Sequence, residues 1–182
     1  LAAADPGRTA TEMKLATATY PLDAPRSWAD YARKIGEWVA DAAGNGAQLL
    51  LFPEYAAMEL AMLAGPDTAA DNEAGMRAVS DRINDADALH ADLAARHGVH
   101  ICAASAPVYG PAFGDRPGNR ARLFTPAGAM GVQDKQIMTR YERDTMRAVP
   151  GGPLRLFDTA LGKIGILICY DSEFPLFGRA LR

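Results

Sequence analysis

Apolar residues in the first third of the chain form short β-type runs separated by a stretch at helical spacing. The runs at residues 14–20 and 48–52 predict two strands, and Pro53 ends the second. Between them, Ser27 precedes an apolar stripe that predicts a capped helix, ended by residues 44–46. The stripe consists of Trp28, Ala32, Ile35, Trp38, Val39 and Ala42. The chain therefore opens as strand, helix, strand.

The middle of the chain changes from an alanine-rich to a β-type pattern. Residues 71–96 carry apolar side chains on one helical face, which predicts one long helix ended by Gly98. Residues 99–108 predict a strand. Residues 109–119 contain several Gly and Pro residues and are expected to form a loop.

The last third of the chain predicts two hairpins. Residues 120–125 and 129–135 form the first, and the polar stretch at 136–147 is expected to be irregular. Residues 154–159 and 163–168 form the second. Three strands alternating with two helices and followed by two hairpins indicate an α/β protein whose helices cover a sheet.

Composition narrows the class of protein and its partners. Of 182 residues, 49% are hydrophobic and 23% are charged, as in an ordinary globular protein with one core. A net charge of -3, with scattered basic residues, favours neither nucleic acid nor a membrane surface as partner. No apolar run is long enough to span a bilayer. Two cysteines suit a reducing compartment, so a cytoplasmic location is expected.

The two ends of the sequence suggest an incomplete domain. Residues 1–12 are expected to be a disordered arm or an artificial remnant, and residues 13–182 the domain itself. The chain stops at Arg182, where a predicted helix at 176–181 has hardly begun. We therefore expect the N-terminal portion of a longer fold.

Three ionisable side chains each lie at the end of a predicted strand. They are Glu54, Lys135 and Cys169. Strands that end along a common sheet edge would bring them into one pocket, where ligands bind in open α/β folds. A carboxylate can take a proton from a thiol, and a lysine can stabilise an oxyanion. A nearby cation or helix N-terminus would favour the thiolate, and the Tyr170 N–H could also serve the oxyanion.

Each of these residues also has a structural interpretation. Glu54 could cap a helix at residues 56–63, Lys135 could be an exposed charge at a hairpin end, and Cys169 could be a buried core thiol. Glu142 could pair with neighbouring arginines in a surface loop. Only the joint pattern favours catalysis.

Three segments around these residues resemble the nitrilase superfamily, also called the carbon–nitrogen hydrolases. They read LFPEY at 51–55, DK at 134–135 with YE at 141–142, and GILICYD at 165–171 followed by FP at 174–175. The resemblance extends from about residue 14 to the end of the chain. It implies an αββα sandwich with its C-terminal part missing, no metal or organic cofactor, and a homodimer or higher homo-oligomer.

The resemblance also implies the roles of the site residues. Glu54 would be the general acid/base, Lys135 the oxyanion stabiliser and Cys169 the nucleophile. Glu142 would help to position the lysine and the substrate, and Tyr170 would contribute its N–H. The implied reaction is hydrolysis of a non-peptide carbon–nitrogen bond through a Cys thioester.

The substrate class is less sharply indicated. The letters CYD at 169–171 resemble the amidase and carbamoylase branches, which act on small amides or N-carbamoyl compounds. True nitrilases more often carry Cys-Trp-Glu there. Nitrile hydrolysis is therefore the alternative within the family.

Other chemistries have weaker support in the sequence. His97 and His100 lie across a helix-to-strand break, and no cysteine or aspartate cluster completes a metal site. A serine elbow of the form Gly-x-Ser-x-Gly is absent. A glutaminase-type Cys–His–Glu triad stays open, because its histidine could follow Arg182. A non-enzymatic, incomplete member that acts by binding or assembly also stays open.

Overall fold

The computed structural model describes residues 13–182, so the arm expected at residues 1–12 lies outside the described part of the chain. Helices and a mixed β-sheet build the fold, which confirms the predicted α/β class. Within these described residues, no helix has both the length and the apolar character needed to cross a membrane.

The main sheet has five strands in the order β1-β2-β3-β4-β5. They are β1 (Leu15–Thr17), β2 (Leu49–Leu51), β3 (His100–Gly110), β4 (Gly114–Phe124) and β5 (Met130–Asp134). β1, β2 and β3 are parallel, and β4 is antiparallel to both β3 and β5. β5 therefore runs in the same direction as β2, and their carboxyl ends lie at the same edge of the sheet.

Two long helices cover one face of this sheet. They are α1 (Trp28–Gly44) and α4 (Ile83–His97). The predicted cap of α1 is confirmed, because the Ser27 hydroxyl accepts a hydrogen bond from the Asp30 N–H at 3.2 Å. The core between the layers includes Tyr31, Ile35 and Val39 of α1, Leu93 of α4, and Leu50, Ile101 and Phe124 of the sheet.

The connection from β2 to β3 contains a 3₁₀-helix (Ala56–Ala64), α2 (Pro66–Ala70) and α3 (Asn72–Asp81) before α4. The prediction of one helix over residues 71–96 is therefore wrong, since the helix breaks at Arg82. α3 packs against the 3₁₀-helix and β3, whereas α4 packs against α1, β3 and β4. Different packing partners turn the chain at Arg82, although the local sequence favours helix on both sides.

The predicted loop at residues 109–119 is also wrong, because most of it belongs to the β3–β4 hairpin. Gly114 begins β4 with a φ of +67°, a conformation that favours glycine. The β3–β4 ladder is irregular between Val108 and Gly110. Glycine and proline therefore mark irregularities and a tight turn within the hairpin, not its absence.

A short helix, α5 (Arg140–Asp144), lies in the stretch predicted to be irregular. Thr139 and Glu142 form a capping box: the Glu142 N–H donates to Thr139 Oγ1 at 3.3 Å, and the Thr139 N–H donates to Glu142 Oε2 at 2.8 Å. The Thr-x-x-Glu spacing is the sequence signal for this helix start.

The second hairpin forms a separate sheet of β6 (Leu156–Thr159) and β7 (Gly162–Gly165). It lies on the sheet face opposite the helices. Phe124 of β4 faces the helices, so its neighbour Leu123 and the Gly131 that pairs with Leu123 face the other side of the sheet. On that side, a Cβ at Gly131 would come within 2.6 Å of the Phe157 ring. Only glycine permits this close approach.

The sequence predicted that Cys169 directly follows a strand, and this prediction is wrong. β7 ends at Gly165, although apolar residues continue to Ile168, because its partner β6 offers only four residues for pairing. Cys169 instead begins a 3₁₀-helix (Cys169–Glu173). α6 (Pro175–Ala180) follows, with Pro175 in its first turn as predicted.

Candidate active site

Glu54 lies where the chain leaves β2 at the carboxyl edge of the sheet. Pro53 ends the strand, and Tyr55 adopts a left-handed conformation with a φ of 56°. The Tyr55 N–H donates to Ser105 Oγ of β3 at 3.1 Å, which anchors this turn. The Glu54 side chain stays 22% exposed, so it remains partly accessible to solvent.

Lys135 follows β5 and is completely buried. Its Nζ donates to Glu54 Oε1 at 2.7 Å and to Glu142 Oε2 at 2.6 Å. Burial by itself disfavours the ammonium, but hydrogen bonds and charge from the two carboxylates outweigh it and raise the Lys135 pKa. An ammonium has three donors, so one N–H remains for another acceptor. The interpretation as an exposed hairpin charge does not hold.

Glu142 is held by α5 and is also buried. Its Oε1 accepts hydrogen bonds from the Tyr55 hydroxyl at 3.0 Å and from Asn119 Nδ2 at 3.1 Å. Burial alone would raise the pKa of this carboxyl, yet the bonds from Lys135, Thr139 and Asn119 hold it below its usual range. Glu142 therefore stays ionised and does not pair with surface arginines.

Asn119 on β4 is a member of the site that the sequence did not reveal. Its Nδ2 donates to Glu54 Oε1 at 2.9 Å and to Glu142 Oε1 at 3.1 Å, so one amide bridges both carboxylates. The sequence placed Asn119 at the end of a loop, and no spacing pointed to it. Tyr55 was missed as well, although it lies beside Glu54 in the motif. Thr139 was also missed, although the Thr-x-x-Glu spacing of the capping box could have revealed it.

Cys169 lies within the field of these groups. Its φ is 46°, a left-handed conformation that is rare for non-glycine residues. Cys169 is exposed, so it is not a buried core thiol, yet partial desolvation, hydrogen bonding to Glu54 and the charge of Glu54 raise its pKa, whereas Lys135 lowers it. The net effect raises the thiol pKa, so the resting site favours a neutral thiol beside a carboxylate.

The other cysteine has a different environment. Cys102 lies half-buried on β3, one residue along from the core-facing Ile101 and thus on the opposite sheet face. Desolvation raises the pKa of its thiol to about 11. Cys102 therefore serves as an internal reference for a thiol without charged neighbours.

Tyr170 directly follows Cys169 on the short helix. The ring is 38% exposed and packs edge-on against Phe174, with 5.2 Å between the ring centroids. Its N–H lies in the first turn of the 3₁₀-helix, where donors have no partner within the helix. The structure thus brings Glu54, Lys135, Glu142 and Cys169 together, with this N–H next to the thiol-bearing residue.

A cavity of about 370 Å³ adjoins the two glutamates. Its walls come mainly from aromatic and thioether side chains, with two smaller polar groups. The lining residues besides Glu54 and Glu142 are Tyr55, Met58, Asn72, Thr139, Tyr141 and Met146. The cavity thus offers a charged end and an apolar body. Within the described part of the chain, no group of three His, Cys, Asp or Glu side chains is arranged to hold a metal ion.

Comparison with known proteins identifies the family. The carbon-nitrogen hydrolase family model matches residues 14–182, which is nearly the whole chain. This chain belongs to the carbon–nitrogen hydrolase family. The resemblance seen in the sequence is therefore confirmed, and the nitrilase-type α/β fold that it implied matches solved structures of that fold.

Individual relatives agree with this assignment. The chain is 28% identical over 178 residues to a probable hydrolase of Bacillus subtilis (strain 168), covering 94% of this chain and 32% of that protein. It is 30% identical over 151 residues to a deaminated glutathione amidase of Yersinia enterocolitica, covering 76% and 48%. The chain thus spans about a third to a half of the length of these relatives.

A solved structure shares the fold. A mutant of the amidase from Nesterenkonia sp. AN1 aligns with a TM-score of 0.63 and 23% sequence identity, covering 93% of this chain and 62% of that chain. At this identity, the likeness concerns the fold alone.

The bridging role of Asn119 makes a prediction about stability. We expect Asn119→Asp to place a third carboxylate between two others and to cost on the order of 2–3 kcal/mol at pH 7. For a domain of this size, that cost corresponds to a decrease in Tm of roughly 5–10 °C. The new carboxyl's pKa is raised in the folded state by its like-charged neighbours, so the loss increases as pH rises above 5.

Thermal unfolding of wild type and variant at pH 5 and pH 8 measures this effect. Asn84→Asp is the matched control, because Asn84 is exposed in the first turn of α4, where an added negative charge is tolerated. Equal Tm losses for Asn119→Asp at both pH values would contradict the bridging role.

Proposed function

We propose that this protein hydrolyses a non-peptide carbon–nitrogen bond of a small amide, through a thioester formed on Cys169. One observation carries the proposal: a thiol, a partly exposed carboxylate and a fully buried ammonium meet at one sheet edge. Thiol, base and oxyanion stabiliser are the groups that nucleophilic acyl transfer requires.

In the first half of the reaction, the Cys169 sulfur attacks the amide carbon while Glu54 takes the thiol proton. Lys135 and Asn119 both donate hydrogen bonds to Glu54 Oε1, which leaves Oε2 for that proton. The remaining N–H of Lys135 and the Tyr170 N–H stabilise the oxyanion. The carbon–nitrogen bond then breaks, and ammonia or an amine leaves with the proton from Glu54.

In the second half, Glu54 removes a proton from water, and the resulting hydroxide attacks the thioester carbon. The carbon–sulfur bond breaks, the thiol regains its proton, and a carboxylic acid leaves. A resting neutral thiol fits this cycle, because Glu54 accepts its proton only as the sulfur attacks. Glu142 keeps Lys135 charged and in place throughout.

The cavity beside the two glutamates supports an amide with an apolar acyl group. Tyr55, Met58, Tyr141 and Met146 provide most of its walls. Thioether side chains adapt to ligands of different shape, so we expect tolerance among small aliphatic and aromatic acyl groups. N-carbamoyl compounds, whose acyl group is polar, fit this wall less well.

The names of the relatives support the same reaction. The Yersinia enterocolitica relative is named a deaminated glutathione amidase, and a mutant of the amidase from Nesterenkonia sp. AN1 shows the result of Michael addition of acrylamide at its active-site cysteine. We further infer a cytoplasmic enzyme that works as a homodimer or larger homo-oligomer and needs no metal or organic cofactor.

Covalent trapping tests the proposal. Purified protein is mixed with a panel of small amides, N-carbamoyl compounds and nitriles, and intact mass and peptide mapping are recorded at short times. We expect an acyl adduct on Cys169 with apolar amides, none in Cys169→Ala, and a wild-type adduct in Cys102→Ala. An adduct that persists in Cys169→Ala contradicts the mechanism, and adducts from nitriles alone contradict the amide assignment.

A further inference from the structure

Asp171 is a fully buried carboxylate on the short helix that begins with Cys169. Its side chain takes no direct part in the chemistry proposed above. Within the described residues, every hydrogen bond that its carboxylate accepts comes from a backbone N–H group. A buried carboxylate is costly unless its oxygens are satisfied, so its position calls for a physical reason.

The donors to Asp171 come from two different parts of the site. Gln136 N–H donates to Oδ1 at 3.1 Å and to Oδ2 at 3.2 Å, and Ile137 N–H donates to Oδ1 at 2.8 Å. Both residues directly follow Lys135. Ile168 N–H, directly before Cys169, donates to Oδ2 at 3.4 Å. One carboxylate therefore holds the segment after the lysine and the segment before the thiol.

The main-chain ladders do not make this connection. Lys135 follows β5 of the five-stranded sheet, whereas the Cys169 segment follows β7 of the separate two-stranded sheet. β7 ends at Gly165, so residues 166–168 continue beyond the ladder. Cys169 itself is left-handed, a strained conformation for a non-glycine residue that persists only where its surroundings hold it.

The geometry points to Asp171 as a positioning residue that fixes the Cys169 sulfur relative to the Lys135 ammonium. This inference rests on the proposed function, since the distance it controls is that between nucleophile and oxyanion stabiliser. A carboxylate suits the task better than an amide, because it offers two oxygens that only accept, whereas an amide NH₂ would face these N–H donors.

The test compares Asp171→Asn with wild type in two readouts. The kcat for an amide is divided by the concentration of protein whose Cys169 can be alkylated, so that misfolded molecules do not count. We expect this kcat to decrease by about 10²-fold while KM stays within about threefold of the wild-type value, because misplacing reacting groups by about 1 Å has that effect. We also expect the pH midpoint of Cys169 alkylation by iodoacetamide to move lower. Desolvation and Glu54 together raise that thiol's pKa more than Lys135 lowers it, so a displaced Cys169 returns toward the lower pKa of an ordinary thiol.

The control is Asp158→Asn, the same change at a carboxylate whose side chain is 82% exposed on β6. Its kcat and alkylation midpoint should match wild type. A merely structural role of Asp171 would lower Tm while kcat per site and the midpoint stayed at wild-type values, and that result overturns the inference.

Two outcomes separate this inference from the proposed function. If wild type forms no acyl adduct, the proposed function fails, while the alkylation midpoint still tests whether Asp171 positions Cys169. If Asp171→Asn yields no folded protein, Asp171→Glu takes its place, because it keeps both oxygens but adds a methylene in a fully buried position. A folded Asp171→Glu protein with wild-type kcat and midpoint also overturns the inference.

Discussion

Replacing Lys135 with methionine is expected to abolish amide hydrolysis and to destabilise the fold at the same time. Loss of an oxyanion donor costs about 10²–10³ in kcat, and the uncompensated carboxylates add to this loss. The ammonium is completely buried between Glu54 and Glu142, at 2.7 Å and 2.6 Å. Breaking such a buried arrangement costs on the order of 3–5 kcal/mol.

The effect of Lys135→Met on stability should depend on pH in a defined direction. In wild type, the Glu142 pKa is held low, so its contribution to stability is present above the unfolded-state pKa and is lost as pH falls below it. Without Lys135, burial raises that pKa, and the variant gains relative stability as Glu142 takes up a proton. The stability difference should therefore decrease from pH 7 to pH 4.

Chemical denaturation at these two pH values, together with amide turnover, measures both effects. Lys163→Met is the matched control, because the side chains of Lys163 and its partner Asp158 are 66% and 82% exposed. Exposed pairs contribute less than about 1 kcal/mol, so this variant should retain stability and turnover. Turnover within tenfold of wild type in Lys135→Met would exclude the oxyanion role.

The sequence predicted the sheet edge well because each relevant signal was local. Pro53 after an apolar run ends β2, and the hairpin around residues 126–128 sets β5, so Glu54 and Lys135 both lie at strand ends. The direction of β5 follows from two antiparallel pairings, which place both ends at one edge. The family resemblance then linked these positions to Cys169.

The parts that the sequence did not predict depend on long-range contacts. Asn119 reaches the two glutamates only because β4 pairs beside β5, and no local pattern marks that residue. The break at Arg82 follows from packing against different elements. The protonation preference of Cys169 depends on how near Glu54 and Lys135 lie to the thiol, since one raises its pKa and the other lowers it.

The opposing effects of Glu54 and Lys135 lead to a second prediction with a large effect. We expect Glu54→Gln to lower amide turnover by about 10³–10⁴-fold, because the general base of both half-reactions is removed. The same change should make Cys169 alkylate several-fold faster at pH 7. Glutamine keeps the shape and removes the negative charge that raises the thiol pKa, while the positive charge of Lys135 remains.

Rates of iodoacetamide labelling across pH 6–11, with Cys102 in the same molecule as reference, measure the shift. The plots of Cys169 labelling rate against pH for wild type and Glu54→Gln should cross. A thiol with a lower pKa is more ionised at neutral pH but is less nucleophilic once fully ionised. Glu173→Gln is the control, because Glu173 is exposed on the same short helix and does not contribute to the Cys169 pKa shift.

A different combination of results would separate the two roles of Glu54. Lost turnover with unchanged labelling would mean that the Glu54 charge does not act on the resting thiol. Faster labelling with retained turnover would mean that another group serves as the base. Only the opposite changes, slower hydrolysis and faster labelling, fit a carboxylate that keeps the thiol protonated at rest and removes its proton during attack.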